Sequence, residues 1–185
     1  MVLEVVKYGS DVLREKSRRV PLVTDDLRAL AADMIDTMHA TKGVGLAAEQ
    51  VGRTESVCVI DVPPGCEDDK AVEEFNAAQV SMPLVMFNPE IIATAGEQTG
   101  KEGCLSFPNV GGTVTRPAEV TFQYQDAEGR SQMATAKGFL ARAVMHETDH
   151  LAGVLYVDRM NDSERAAVAG RLEKLIKKQK KEKRR

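Results

Sequence analysis

The chain has 185 residues, 43% hydrophobic and 29% charged, with 4% aromatics and no Trp, which is enough for one domain with a largely aliphatic core. No run of about 18 apolar residues occurs, which excludes a membrane-spanning helix, and the opening MVLEVVKYGSDVLREK is too charged and too short in apolar run for a secretion signal. The net charge of −3 hides an asymmetry: residues 171–185 hold nine Lys/Arg and two Glu, a balance of +7, and the remainder carries −10, a pattern that suits either a solvated helix end or a tail drawn to polyanions.

Thr24-Asp25-Asp26 reads as a helix start, with acids near the positive end of the dipole. Leu27, Leu30, Ala31, Met34, Ile35 and Met38 follow at helical spacing, and the helix should end before Gly43. His39 lies at the edge of that stripe, as a boundary residue. KGVGLAAEQVG (42–52) lacks the Gly-Lys-Ser/Thr ending of a phosphate loop; its small residues around Leu46 imply close backbone contact. SVCVIDV (56–62) is a strand, with Cys58 as a core residue. Residues 63–81 read as a polar excursion with room for a helical turn, and Cys66 there sits beside acids that disfavour its thiolate.

PLVMFNPEII resumes a strand pattern. EVTFQYQ (119–125) alternates cleanly, DAEGR is a turn, and SQMATAK is the return strand of a hairpin. From about Gly138 the pattern is helical through His150, and Gly153 suits the position just past the helix end. A final helix starts near Ser163, with Ala167, Leu172, Leu175 and Ile176 as its apolar stripe. Without regular βαβ alternation, the expected fold is α+β. It is a single domain of short mixed or antiparallel sheets around a central helix, with an N-terminal and a C-terminal helix. Residues 1–170 form the body and 171–185 a basic helix end. The three cysteines, an odd number, make a poor disulfide framework and point to a reducing, cytoplasmic setting.

The chemistry concentrates in MHETDHLAG (145–153). On a helix His146 and His150 point the same way and can reach one ion, and Glu147, offset by about 100°, can touch a water on that ion. This is the H-E-x-x-H arrangement. A structural zinc site would use four closed protein ligands, whereas a catalytic one keeps a position open. The downstream protease position for a third ligand is Tyr156, and Glu164 and Glu173 lie in an ordinary amphipathic helix. The better candidate is upstream, Cys104 in GKEGCLSFP (100–108), although a small hydrophobe in a loop would also account for it.

Taken together, GVGLAAEQ, EGCLS and HETDHLAG resemble the three signature motifs of the peptide deformylase family, in the family's order and spacing. The likeness runs from YGSDVLR to GVLYVDRM, and the final helix is similar to the bacterial form. The resemblance implies removal of the formyl group from N-terminal formyl-methionine, with residues 1–170 as the catalytic domain. It implies metal ligands Cys104, His146 and His150 around one divalent ion, Fe(II) in the family, with Zn, Ni or Co able to substitute. Glu147 would be the general base, and the Gln50 amide and Leu105 N–H would stabilise the oxyanion. Gly43, Val44, Gly45, Glu102 and Gly103 would line the substrate site, with Glu102 and Asp149 as candidate supports for the histidines. Asp149 could equally pair with Arg142 or Arg116. The partners implied are nascent formyl-Met chains and, through the basic tail, the ribosome. Two departures stand out: Gly111 where many members carry Arg, and Met145 where Gln is frequent. The competing readings are a metalloprotease, or a metal-braced module with a nucleic-acid-binding tail.

Overall fold

The computed structural model describes residues 1–67 and 69–182. Four α-helices, α1 (Asp25–Ala40), α2 (Lys70–Gln79), α3 (Gly138–Leu151) and α4 (Asp162–Glu182), pack with seven strands. The strands are β1 (Gly45–Ala47), β2 (Val57–Ile60), β3 (Leu84–Ala95), β4 (Gln98–Gly103), β5 (Gly111–Arg116), β6 (Glu119–Gln125) and β7 (Ser131–Lys137). Five strands form one antiparallel sheet in the order β1-β2-β3-β6-β7, and β4 and β5 form a separate antiparallel pair. The α+β expectation holds, and all named strand pairs are antiparallel.

Around β2 the sheet is covered on both faces, which is why the β2 sequence is a continuous apolar run. Val57 and Val59 point to α1, where they meet Leu30, Met34 and Met38. Cys58 and Ile60 point to α3, where they meet Leu140 and Val144. Cys58 is fully buried, and burial pushes its thiol well above the ordinary range, as a core residue requires. The helix start at Thr24 is as expected: its hydroxyl accepts from Leu27 N at 3.4 Å. A third cluster packs α4 against β5 and the turn around Tyr156, through Val114, Tyr156, Val168 and Leu172.

Three expectations change. The 63–81 excursion carries a ten-residue helix, α2, capped by Asp69, whose carboxylate accepts from Ala71 N at 2.9 Å. Asn76 on α2 accepts from Lys137 N at 2.9 Å and donates to Lys137 O at 3.1 Å. Glu67 accepts from Phe139 N at 3.0 Å and Leu140 N at 3.1 Å. The excursion thus supplies the carboxylate that caps the positive end of α3, which has no cap of its own. Second, β4 and β5, which flank the cysteine loop, are strands that the sequence pattern does not suggest. Third, the buried stripe of α4 runs through Val168 and Leu172, with Ala167 exposed. α4 passes through Gly170 without a break to Glu182; the tail residues 183–185 lie outside the described residues.

Gly153 does end α3 as the sequence implies. It adopts φ +72°, and a Cβ there would lie 2.5 Å from Arg14 O, so both backbone conformation and space demand glycine.

Candidate metal centre

α3 is the central element, with every residue from Leu140 to Glu147 buried. Its last two turns carry His146 and His150, whose rings meet edge to face with centroids 5.0 Å apart. The Cys104 loop descends from β4 onto them, and Cys104 Sγ lies 3.3 Å from His150 Nε2. One donor atom each from Cys104, His146 and His150 falls within 4.8 Å of the others. Among the described residues this is the one group of His, Cys, Asp or Glu that forms such a cluster. A thiolate and two imidazoles around a tetrahedral ion, at metal–ligand lengths of roughly 2.0–2.3 Å, sit about 3.5 Å apart. The donor set and the Cys104–His150 separation therefore fit a borderline-soft divalent metal.

The alternative ligands are otherwise engaged. Tyr156 donates its hydroxyl to Val110 O at 2.9 Å and stacks on His146 with ring centroids 5.9 Å apart. Glu164 accepts from Thr113 N at 2.9 Å, and Glu173 pairs with Lys177 at 3.8 Å.

His146 is oriented from behind. Its Nδ1 is 2.9 Å from Glu102 Oε2, which turns Nε2 towards Cys104. Glu102 is itself gripped by two buried arginines, Arg116 at 2.6 Å and Arg142 at 2.7 Å. Burial alone would raise its pKa, but hydrogen bonds from His146 and Arg116 hold the carboxyl well below the usual range. The Asp149 carboxylate bonds to neither histidine ring among the described residues. It pairs with Arg116 at 2.8 Å and Arg159 at 2.7 Å, not with Arg142, so it braces the network one step further out.

Glu147 is buried on the opposite side, and its Oε2 has no hydrogen-bond partner among the described residues. Burial, the main cause, pushes its pKa up to about 7. Gln50 is locked by its own turn: Oε1 accepts from Ala47 N at 2.9 Å, so Nε2 faces the centre, 3.2 Å from Cys104 Sγ and 3.3 Å from Ser106 Oγ. Gly43, Val44, Gly45, Gln50, Glu102, Gly103, Cys104, Leu105, His146 and Glu147 all border one cavity of about 380 Å³. Its apolar wall comes from Phe107, Val110, Phe139 and Ala143. A mostly apolar cleft with converging polar groups is the form of a small-ligand site.

Sequence reasoning missed the groups that hold the two loops together. The N-terminal segment bridges them: Val6 N donates to Gln50 O at 2.8 Å, Tyr8 N to Ser106 O at 2.9 Å, and Lys7 Nζ to Leu105 O at 3.0 Å. No local pattern marks Lys7 for this. Glu49 was also passed over. It is fully buried, neither carboxyl oxygen has a partner among the described residues, and desolvation raises its pKa to about 8.

The family model described as polypeptide deformylase matches residues 2–166. A peptide deformylase from Synechococcus sp. (strain RCC307) is 43% identical over 168 residues, 90% of this chain and 77% of the relative. One from Endomicrobium trichonymphae is 40% identical over 97% of this chain and 96% of its own. Among solved structures, peptide deformylase from Ehrlichia chaffeensis is similar with a TM-score of 0.85 at 35% identity, covering 98% of this chain and 99% of that one. Its complex with actinonin is similar at a TM-score of 0.82, 34% identity, and coverage of 96% and 97%.

Proposed function

The chain belongs to the polypeptide deformylase family, and from that membership we infer that it hydrolyses the N-formyl group from the formyl-methionine that begins a new polypeptide, releasing formate. The observation that carries the reading is the convergence of Cys104, His146 and His150 on one point beside Glu147, one of whose carboxyl oxygens has no partner among the described residues. A protease reading lacks its downstream ligand, and a purely structural metal would not need a buried carboxylate facing the cavity.

Cys104, His146 and His150 would hold one divalent ion. When bound, such an ion acidifies water towards a pKa of about 7 and polarises a carbonyl. We propose Fe(II), the ion that the family resemblance implies, with Zn, Ni or Co as substitutes, since thiolate and imidazole donors suit all four. Metal analysis of protein purified without oxygen decides among them.

The chain's own residues do the rest. Glu147 takes the proton from the attacking water and returns it to the departing amine. Gln50 Nε2, held by the Ala47 bond, and the Leu105 N–H donate to the oxyanion that forms at the formyl carbon. Gly43, Val44, Gly45 and Gly103 give the peptide backbone close approach, and the wall at Phe107, Val110 and Phe139 receives the methionine side chain. Glu102 is committed to Arg116, Arg142 and His146, so it supports the site through His146.

Formate release from formyl-Met-Ala-Ser by Fe(II)-, Ni(II)- or Co(II)-loaded protein tests the reading, with casein cleavage run beside it. Formate without casein cleavage supports it, and no formate with any metal refutes it.

The +7 balance of residues 171–185 supports a second proposal, that the end of α4 contacts the ribosome in the cytoplasm. No helix of the described residues is long and apolar enough to cross a membrane. Leu172 is buried against the body, so truncation would confuse folding with binding. Replacing Lys177, Lys180 and Lys181 by Gln avoids this. Weaker, less salt-dependent co-sedimentation with ribosomes supports the contact, and unchanged affinity refutes it.

A further inference from the structure

The cavity opens between two walls, and each carries a lysine at its rim. Lys42 stands immediately before Gly43 on one wall; Lys101 stands immediately before Glu102 on β4, on the other. The walls are close: a Cβ at Gly43 would lie 2.7 Å from Leu105 Cδ1. Both lysines line the one cavity, so a peptide seated in it meets positive charge on either wall.

Both lysines are exposed, and neither has an ion-pair partner among the described residues. The other charges along the lining are already matched or sit deep. Arg142 is paired with Glu102 at 2.7 Å, and Glu102 is also held by Arg116 and His146. Glu147 is buried beside the ligand cluster. The mouth thus presents two unmatched positive charges and no exposed acid among its lining residues.

We propose that Lys42 and Lys101 are specificity determinants that favour formylated chains with acidic side chains at the second and third residues. This rests on the deformylase reading and names the substrate subset that the same site prefers. Exposed pairs of this kind each contribute modestly and are screened by salt. Exchanging acids for bases at two positions reverses attraction into repulsion, so the contrast is larger than either effect alone.

The test uses formyl-Met-X-X peptides with amidated C-termini, X being Glu, Ala or Lys, so that no terminal carboxylate competes. At low salt kcat/KM should be about tenfold higher for Glu than for Lys, mainly through KM, and the ratio should approach unity near ~0.5 M salt. Lys42→Gln with Lys101→Gln should level the series, and Lys42→Glu with Lys101→Glu should invert it. The salt series needs no variant and stands if a variant folds poorly. Equal rates for Glu and Lys at low salt, or a preference that persists in the double Gln variant, would overturn the proposal alone. Formate from none of the peptides would overturn the deformylase reading and this inference with it.

Discussion

The carboxylate of Glu147 rests against the bare Cα of Gly45: a Cβ added there would lie 2.7 Å from Glu147 Cδ. The glycine-rich stretch and the H-E-x-x-H helix are therefore two halves of one steric fit. Gly45→Ala should drive Glu147 from its place while leaving Cys104, His146 and His150 untouched. A loss of ~10² or more in kcat is expected, the scale of a displaced acid–base group, with full metal content by elemental analysis. Activity within a fewfold of the parent would show that Glu147 can shift without cost.

Glu147→Gln keeps the shape and removes the proton acceptor. Formate release should fall by about 10²–10⁴, while one metal per chain is retained and melting temperature is unchanged or higher. The rise would come from relief of a buried acid whose Oε2 has no partner among the described residues. Substantial turnover by this variant would assign the base elsewhere.

Glu102 balances two buried arginines and one histidine. Glu102→Gln leaves Arg116 and Arg142 without their main counter-charge, which should cost about 3–5 kcal/mol in denaturant unfolding. Metal affinity should drop roughly 10–100-fold, because His146 loses its orienting acceptor. Stability and affinity near those of the parent would mean that Asp149 and solvent compensate.

Glu49 gives a pH signature. Its pKa is raised from 4.5 to about 8 in the folded chain, so the folded state holds a proton that the unfolded state has released between those values. This contribution is complete below about pH 4.5 and is lost as pH rises through about 8, with a total on the order of a few kcal/mol. Glu49→Gln should therefore gain in melting temperature over the parent as pH is raised from about 5 to about 8. A gap that stays constant across that range would place Glu49 in a better-solvated position than the fold implies.

Much of the site was legible because helical spacing is a strong geometric statement: His146 and His150 four apart must share a face, and Glu147 must lie beside it. Cys104 carried no such local signal, and only the set of motifs joined it to the helix. α2 was unreadable for a different reason. It is anchored by Asn76 on the Lys137 backbone and on Glu67, which itself caps α3, all long-range contacts or contacts outside the helix, without periodicity. The β4–β5 pair, rich in Gly and Thr, lacks the alternation that marks a half-buried strand. In α4 the apolar residues are close enough that Ala167 and Val168 both fit a stripe, and only packing against Val114 and Tyr156 selects Val168.

The first eight residues act on timing as well as geometry. Val6, Lys7 and Tyr8 stitch the Gln50 turn to the Leu105–Ser106 loop, yet they emerge before either loop exists. During synthesis Val6 can find Gln50 once that turn is made, but Lys7 and Tyr8 wait for their loop partners until residue 106 has followed. The bridge between the two loops can therefore close only after both are made, and the Gln50 turn and the Leu105 backbone come into register only when it does.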